Sequence, residues 1–271
     1  MVLALASTCS AASSLGRGAS YLLARQGSDG GFAEPNGSSS AGLTAWVVLG
    51  LKASGTTSGR AQATADYLAQ AQAPQTTDLE LKLLAQVALD QDVSKLADQV
   101  ERLRRPSGRI GPTLNSTYWG VLGLRAAGRK TGKSTLRYVL LAQRKSGGWS
   151  WSSHAAPDAG DTAAAVQALR AAGASARSKP IKRAVSYLRR CQNRDGGFAV
   201  SPGAASDSQS TAWAIQALLA ARKDPGKASF RYLKRLQRSD GSFRYSKRYV
   251  TTPAWVTAQV LCALARKPFP F

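Results

Sequence analysis

The sequence predicts an all-α fold, a closed α/α barrel of about six helical hairpins with an inner and an outer ring of helices. Three observations predict it. One phrase recurs along nearly the whole chain, each copy is followed by an Ala-rich apolar run, and the two helices of each unit differ in polarity.

The phrase is an aromatic and an aliphatic residue, then a Gln, then a Gly-containing turn that ends in a second aromatic. It reads Tyr21-Leu22, Gln26, Asp29-Gly30-Gly31-Phe32. It returns as Tyr138-Val139, Gln143, Ser146-Gly147-Gly148-Trp149, and as Tyr187-Leu188, Gln192, Asp195-Gly196-Gly197-Phe198. The last copy is Tyr232-Leu233, Gln237, Asp240-Gly241-Ser242-Phe243. Two partial copies fill the gap: Tyr67-Leu68 with Gln72 keeps the front half, and Ser107-Gly108-Arg109-Ile110 keeps the back half, with Arg104 at the Gln position. The unit is about 45 residues, the length of a two-helix repeat.

The second half of each unit is the apolar run: Thr44–Leu49, Ser116–Leu122, Asp161–Leu169, Ser210–Leu218 and Thr252–Ala258. Thr and Asp at the start of these runs suit an N-cap, where a side-chain oxygen accepts an orphan backbone N–H. Pro253 suits the first helical turn. Gly55, Gly128 and Gly173 follow the runs, where a left-handed residue ends a helix. These helices are apolar on every side and are therefore expected inside. The first helices are amphipathic and basic, as in Lys182–Arg190, and are expected outside. Closure of the ring would bury the lateral faces that an open stack leaves exposed.

Composition sets bounds on this reading. The chain has 271 residues, 44% of them hydrophobic, enough for a sizeable core. No apolar run is long enough to span a bilayer. Three cysteines, Cys9, Cys191 and Cys262, are too few and too odd in number for a disulfide framework, and Cys191 and Cys262 are expected as buried small hydrophobes. His154 is the sole histidine, so no zinc set of Cys and His exists, and no cofactor or metal is expected. Residues 1–14 begin with an apolar stretch and small residues, like the end of a signal peptide that has lost its basic start; the expected setting is export or the cell envelope, and otherwise the cytoplasm. The toroid is expected over 15–266, with 267–271 as a tail.

The repeated phrase resembles the Gln-Trp repeat of the terpenoid cyclase and protein prenyltransferase superfamily, clearest in squalene–hopene cyclases. The resemblance covers about Gly18 to Leu264. It implies an α/α toroid in which Gln26, Gln143, Gln192 and Gln237 are structural clasps and Phe32, Trp149, Phe198 and Phe243 their lids.

The family's chemistry is matched only in part. Class II cyclases protonate an alkene with an Asp-x-Asp-Asp motif whose middle Asp gives the proton. Here the matching stretch is Asp158-Ala159-Gly160-Asp161-Thr162-Ala163, so the donor position holds Gly160. Asp158 or Asp161 can donate a proton if burial raises its pKa; alternatively Asp161 caps the inner helix and Asp158 lies in the loop before it. The Asp, Cys and His that bind zinc in protein prenyltransferases are missing, which disfavours that activity. The thioester motif and the acidic cluster of class I cyclases are missing too; Asp78-Leu79-Glu80 is the nearest approach and is expected to complement a helix dipole. Trp46, Trp119, Trp213 and Trp255 fall early on inner helices and are candidate ligand-binding residues ringing one mouth, by cation–π or apolar contact. In known cyclases this toroid is normally paired with a second one, and this chain has length for one.

The net charge is +22, from 37 basic and 15 acidic residues. On outer helices such charge is either a solvated face or an attraction to an anionic envelope or membrane surface. Phe243–Tyr249 interleaves aromatics with cations, but without a known nucleic-acid fold, and nucleic acid is disfavoured. Three readings stay open: a toroid that binds an apolar, isoprenoid-type ligand in the barrel without a complete acid motif, an active small terpene cyclase-like enzyme using Asp158 and Asp161, and a cell-envelope interaction scaffold.

Overall fold

A computed structural model describes residues 13–271 and contains twelve helices among them. The inner ring consists of α2 (Ala41–Ser54), α4 (Thr76–Ala88), α6 (Leu114–Ala126), α8 (Ala159–Ala171), α10 (Ser208–Ala220) and α12 (Pro253–Leu264). Each packs on the next, and α12 closes onto α2. Outside lie α1 (Ser14–Leu23), α3 (Ala61–Gln70), α5 (Ser94–Arg102), α7 (Lys133–Leu141), α9 (Lys179–Arg190) and α11 (Lys227–Arg235). Helix α1 packs against both α12 and α2, so the outer ring closes as well. The six hairpins expected from the repeat are all present.

Polarity explains the layering. In α2 every residue from Leu43 to Leu51 is buried, whereas α9 buries only Ile181, Ala184, Tyr187 and Leu188, one stripe at helical spacing. Cys191 and Cys262 are free and buried, as expected; Cys9 and the signal-like start lie outside the described residues.

Each turn is fastened to its own inner helix by a threonine. The lid residue's backbone N–H donates to that Thr Oγ1: Phe32 to Thr44 at 2.8 Å, Ile110 to Thr117 at 3.1 Å, Trp149 to Thr162 at 2.9 Å, Phe198 to Thr211 at 2.8 Å and Phe243 to Thr257 at 2.9 Å. These threonines are inside the helices. The true caps come earlier: Ser40, Thr113, Asp158 and Asp207 accept from Leu43, Ser116, Asp161 and Ser210 N–H groups. Asp158 therefore caps α8, and Asp161 belongs to its first turn, the reverse of the structural assignment expected from sequence.

Gln26, Gln143 and Gln237 act as clasps through hydrogen bonds, whereas Gln192 Nε2 donates to Gly196 O within its own turn and not to the next outer helix. Gln143 Nε2 donates to Gly147 O in its own turn and to Pro180 O of the next outer helix, at 2.8 and 2.9 Å. Gln26 reaches Thr64 of α3 in the same way, and Gln237 reaches Ser14 O of α1, joining the last unit to the first. The turn glycine is needed for close approach: a Cβ on Gly241, which has φ of +89°, would lie 2.4 Å from Arg17 O. A second tie closes the ring at the other layer. The Glu34 carboxylate accepts from the Ala254 and Trp255 N–H groups at 2.9 and 2.8 Å and so caps α12, whose own Thr252 makes no side-chain cap.

Glu80 departs from expectation. Asp78 does serve the start of α4, accepting from Gln75 N–H, but Glu80 is fully buried near Ile110 and Gly120 with no hydrogen-bond partner for either oxygen. Burial pushes its carboxyl well above the usual range.

Thr211→Val keeps the shape of the clamp and removes its acceptor, leaving the Phe198 N–H buried and unpaired. The expected cost is about 1–3 kcal/mol in urea unfolding, with an unchanged m-value.

Candidate functional site

The threonine clamp fixes which way each inner helix faces. Since Thr points outward to its turn, the residue two positions on, about 200° round the helix, points to the axis. Trp46, Trp119 and Trp213 occupy that position in α2, α6 and α10, which are alternate members of the inner ring. The three indoles meet on the axis with centroids 5.4 to 5.5 Å apart and ring planes at 87° to 90°, an edge-to-face trio. The same position holds Ala164 in α8 and Gln259 in α12, leaving room for the larger rings.

Phe269 lies against this trio from the C-terminal end of the inner helices. Its ring centroid is 6.0 to 6.1 Å from all three indoles, its N–H donates to Gln167 Oε1 at 2.7 Å, and Phe271 stacks on it at 5.0 Å. The segment expected as a tail thus contributes to the inside of the barrel. Trp46 Nε1, Gln167 Nε2 and Gln216 Oε1 are buried here without a partner.

The tryptophans do not ring a mouth as a set of four. Three form a central plug, and only Trp255 stands at the rim. Trp255 is half-buried, packs on Trp46 at 5.9 Å, and lies within 3.7 Å of where a Cβ on Gly42 would sit. The rim is set by the position two residues before the clamp threonine: Gly42, Asn115, Gly160, Gln209 and Trp255. Gln209 Nε2 donates to Gln259 Oε1 at 3.0 Å, which shows both facing inward.

The two candidate carboxylates sit beside this rim. Asp161 precedes the outward Thr162 by one residue and therefore points along the ring toward α6, where it accepts from Asn115 Nδ2 at 2.5 Å. Only 7% of it is exposed. Burial first, and Asp158 second, push its carboxyl up to about 8. Gly160 faces the mouth, and a Cβ there would meet only Asp158 Oδ1, at 3.3 Å. A rim cavity of about 470 Å³ lies over Asn115, lined also by Gln75, Thr76, Pro112 and Trp151. Trp151 is 55% exposed, and its carbonyl accepts from Asn115 N–H. Sequence reasoning passed over Asn115, Trp151 and Phe269; the available signal for Trp151 was its place just beyond the lid Trp149. Among the described residues no three His, Cys, Asp or Glu side chains could together hold a metal.

The prenyltransferase alpha-alpha toroid domain matches residues 1–80 and 81–181, well over half of the chain, and the squalene-hopene cyclase C-terminal domain matches 159–262. The chain belongs to the prenyltransferase alpha-alpha toroid family. No curated protein matches it. Among solved structures, the type II terpene cyclase MstE from Scytonema, in complex with geranylgeranyl dihydroxybenzoate, shares 18% identity and a TM-score of 0.70, over 93% of this chain and 95% of that one. The ent-copalyl diphosphate synthase from Streptomyces platensis shares 20% identity and a TM-score of 0.63, over 83% of this chain and 50% of that one. The Candida albicans protein geranylgeranyltransferase-I complexed with GGPP shares 14% identity and a TM-score of 0.66, over 83% of each. MstE is spanned almost end to end by this single toroid, so the expectation that a cyclase pairs two toroids does not extend to every cyclase.

Two outcomes follow for this family member. Folded Asp161 holds its proton to about pH 8, whereas the ordinary value is 3.8. The unfolded chain therefore releases that proton first, and the contribution is lost as pH rises from about 4 through 8. Thermal unfolding should show a fall in Tm across that window, and Asp161→Asn should make the fall shallower. Phe269→Ala should cost about 3–5 kcal/mol and open a cavity that a small apolar probe such as benzene refills, read as a rise in Tm with benzene in the variant alone.

Proposed function

We propose that the chain binds an apolar, isoprenoid-type ligand at the mouth of its toroid and does not carry a complete class II cyclase acid. The observation that carries this reading is the trio of Trp46, Trp119 and Trp213 closing the lumen beneath a rim whose motif position is Gly160. A hydrocarbon chain laid on that floor, flanked by Trp255 and reaching toward the Trp151 cavity, removes apolar surface from water on both partners. Support comes also from the structural neighbours described above in complex with geranylgeranyl compounds.

The enzyme reading rests on a different observation, the buried Asp161 beside the rim, whose carboxyl is pushed up by burial. Its proton would pass to an alkene carbon, the resulting cation would rest on indole faces, and a later C–H deprotonation would return a proton. The geometry favours binding over this, because Asp161 points between α6 and α8 and is held by Asn115.

Geranylgeraniol titrated into the protein, followed by tryptophan fluorescence, tests the proposal. Trp213→Ala should weaken binding at least tenfold, and unchanged affinity in all four variants of Trp46, Trp119, Trp213 and Trp255 overturns it. In a parallel incubation with squalene and linear prenyl diphosphates, unchanged substrates agree with binding alone. A cyclised product that vanishes in Asp161→Asn transfers the assignment to the enzyme.

A further inference from the structure

The outer surface divides its cations into two kinds. Most arginines that face the preceding hairpin are staples to backbone carbonyls. Arg60 donates to Gly27 O and Ser28 O, Arg183 to Arg144 O and Lys145 O, Arg190 to Ser146 O, and Arg235 to Asp195 O. Helix α11 carries Arg235 on that side and three further cations, Lys227, Arg231 and Lys234, at i, i+4 and i+7 on the side toward α1. These three are exposed and meet no carboxylate among the described residues.

They line a groove of about 400 Å³ at the seam where the outer ring closes, between α11 and α1. Arg266, which follows α12, adds a fourth cation, held with its guanidinium 4.3 Å from the centre of the Phe230 ring. Among the described residues no acidic side chain lines the groove, and Leu15, Phe230 and Leu264 supply an apolar wall. Like charges at i, i+4 repel on a helix, so this arrangement is relieved by an anion carrying more than one charge. Guanidinium and ammonium groups set around a small concavity fit phosphate oxygens, and the apolar wall fits a chain attached to them.

We propose that this groove is a binding site for a lipid phosphate monoester, with the headgroup on Lys227, Arg231, Lys234 and Arg266 and the tail against Phe230, Leu15 and Leu264. It lies outside the barrel and is separate from the mouth at which the apolar ligand is placed.

The test is flotation of the full chain with phosphatidylcholine vesicles containing phosphatidic acid, at constant salt, with calorimetric titration of inorganic phosphate beside it. The variants are the triple Lys227→Ala/Arg231→Ala/Lys234→Ala and a triple of equal charge at the α7 hairpin across the ring, Lys130→Ala/Lys133→Ala/Lys145→Ala. The groove triple should lose at least tenfold in vesicle binding, the distant triple should stay within twofold of the native chain, and Phe230→Ala should weaken vesicle binding without affecting any response to inorganic phosphate. Equal losses in the two triples mean attraction by net charge alone and overturn the proposal. Inorganic phosphate that binds in a groove-dependent way while vesicle binding is indifferent to the groove overturns the lipid assignment. Matching thermal unfolding of both triples and the native chain shows that the fold is intact in each comparison.

Discussion

The hydrogen bond from a lid residue's N–H to a threonine inside the inner helix is the constraint on which the rest of this toroid depends. It is buried, it recurs in five of the six units, and it fixes the rotation of each inner helix about its own axis. A helix that is apolar all round has no amphipathic stripe to orient it. Without a directional contact, α2 or α10 could turn by tens of degrees at little hydrophobic cost. The clamp supplies that direction, since an unsatisfied buried N–H is expensive. The glutamine clasp acts in the other dimension: it ties a turn to the next outer helix, and through Gln237 and Ser14 it ties the last hairpin to the first.

Once the rotation is set, the content of the lumen follows. Indoles on three alternate helices approach the axis from directions about 120° apart, which is the arrangement in which three flat rings can each present an edge to a neighbour's face. Ala164 and Gln259 at the matching positions prevent overpacking. The space left on the side of the helix C-termini is filled by Phe269, so an aromatic wall closes the barrel from within, while the opposite end keeps a rim with glycine at two of its positions.

Much of this was legible in the sequence, and the limits have physical reasons. Helix character, repeat number and inner or outer placement are local properties of composition and period, and they read correctly. The rotation of the inner helices was not legible, because apolar residues surround them. That is why Thr44 read as a cap when its role is to hold a turn, and Asp161 read as a cap when it lies in the first turn of α8. The tryptophans were visible as a set, but their convergence depends on register across non-adjacent helices. Phe269 reaches the lumen by a chain reversal after α12 that no periodicity announces. Asn115 came to notice through Asp161, a contact between residues far apart in sequence.

The fate of the acid motif is also a matter of what each position does for the fold. Asp158 accepts from the Asp161 N–H and caps α8, so its loss would cost helix stability whatever the protein binds. Asp161 fills a buried seam between α6 and α8, where burial raises its carboxyl and Asn115 satisfies one of its oxygens. Gly160 alone faces the mouth, and no neighbouring backbone or packing group requires a side chain there. Of the three acidic positions in the class II pattern, two have structural work that is independent of proton transfer, and the third has none. On the proposed binding reading, the two aspartates are kept for the fold, and Gly160 leaves the mouth open to a ligand.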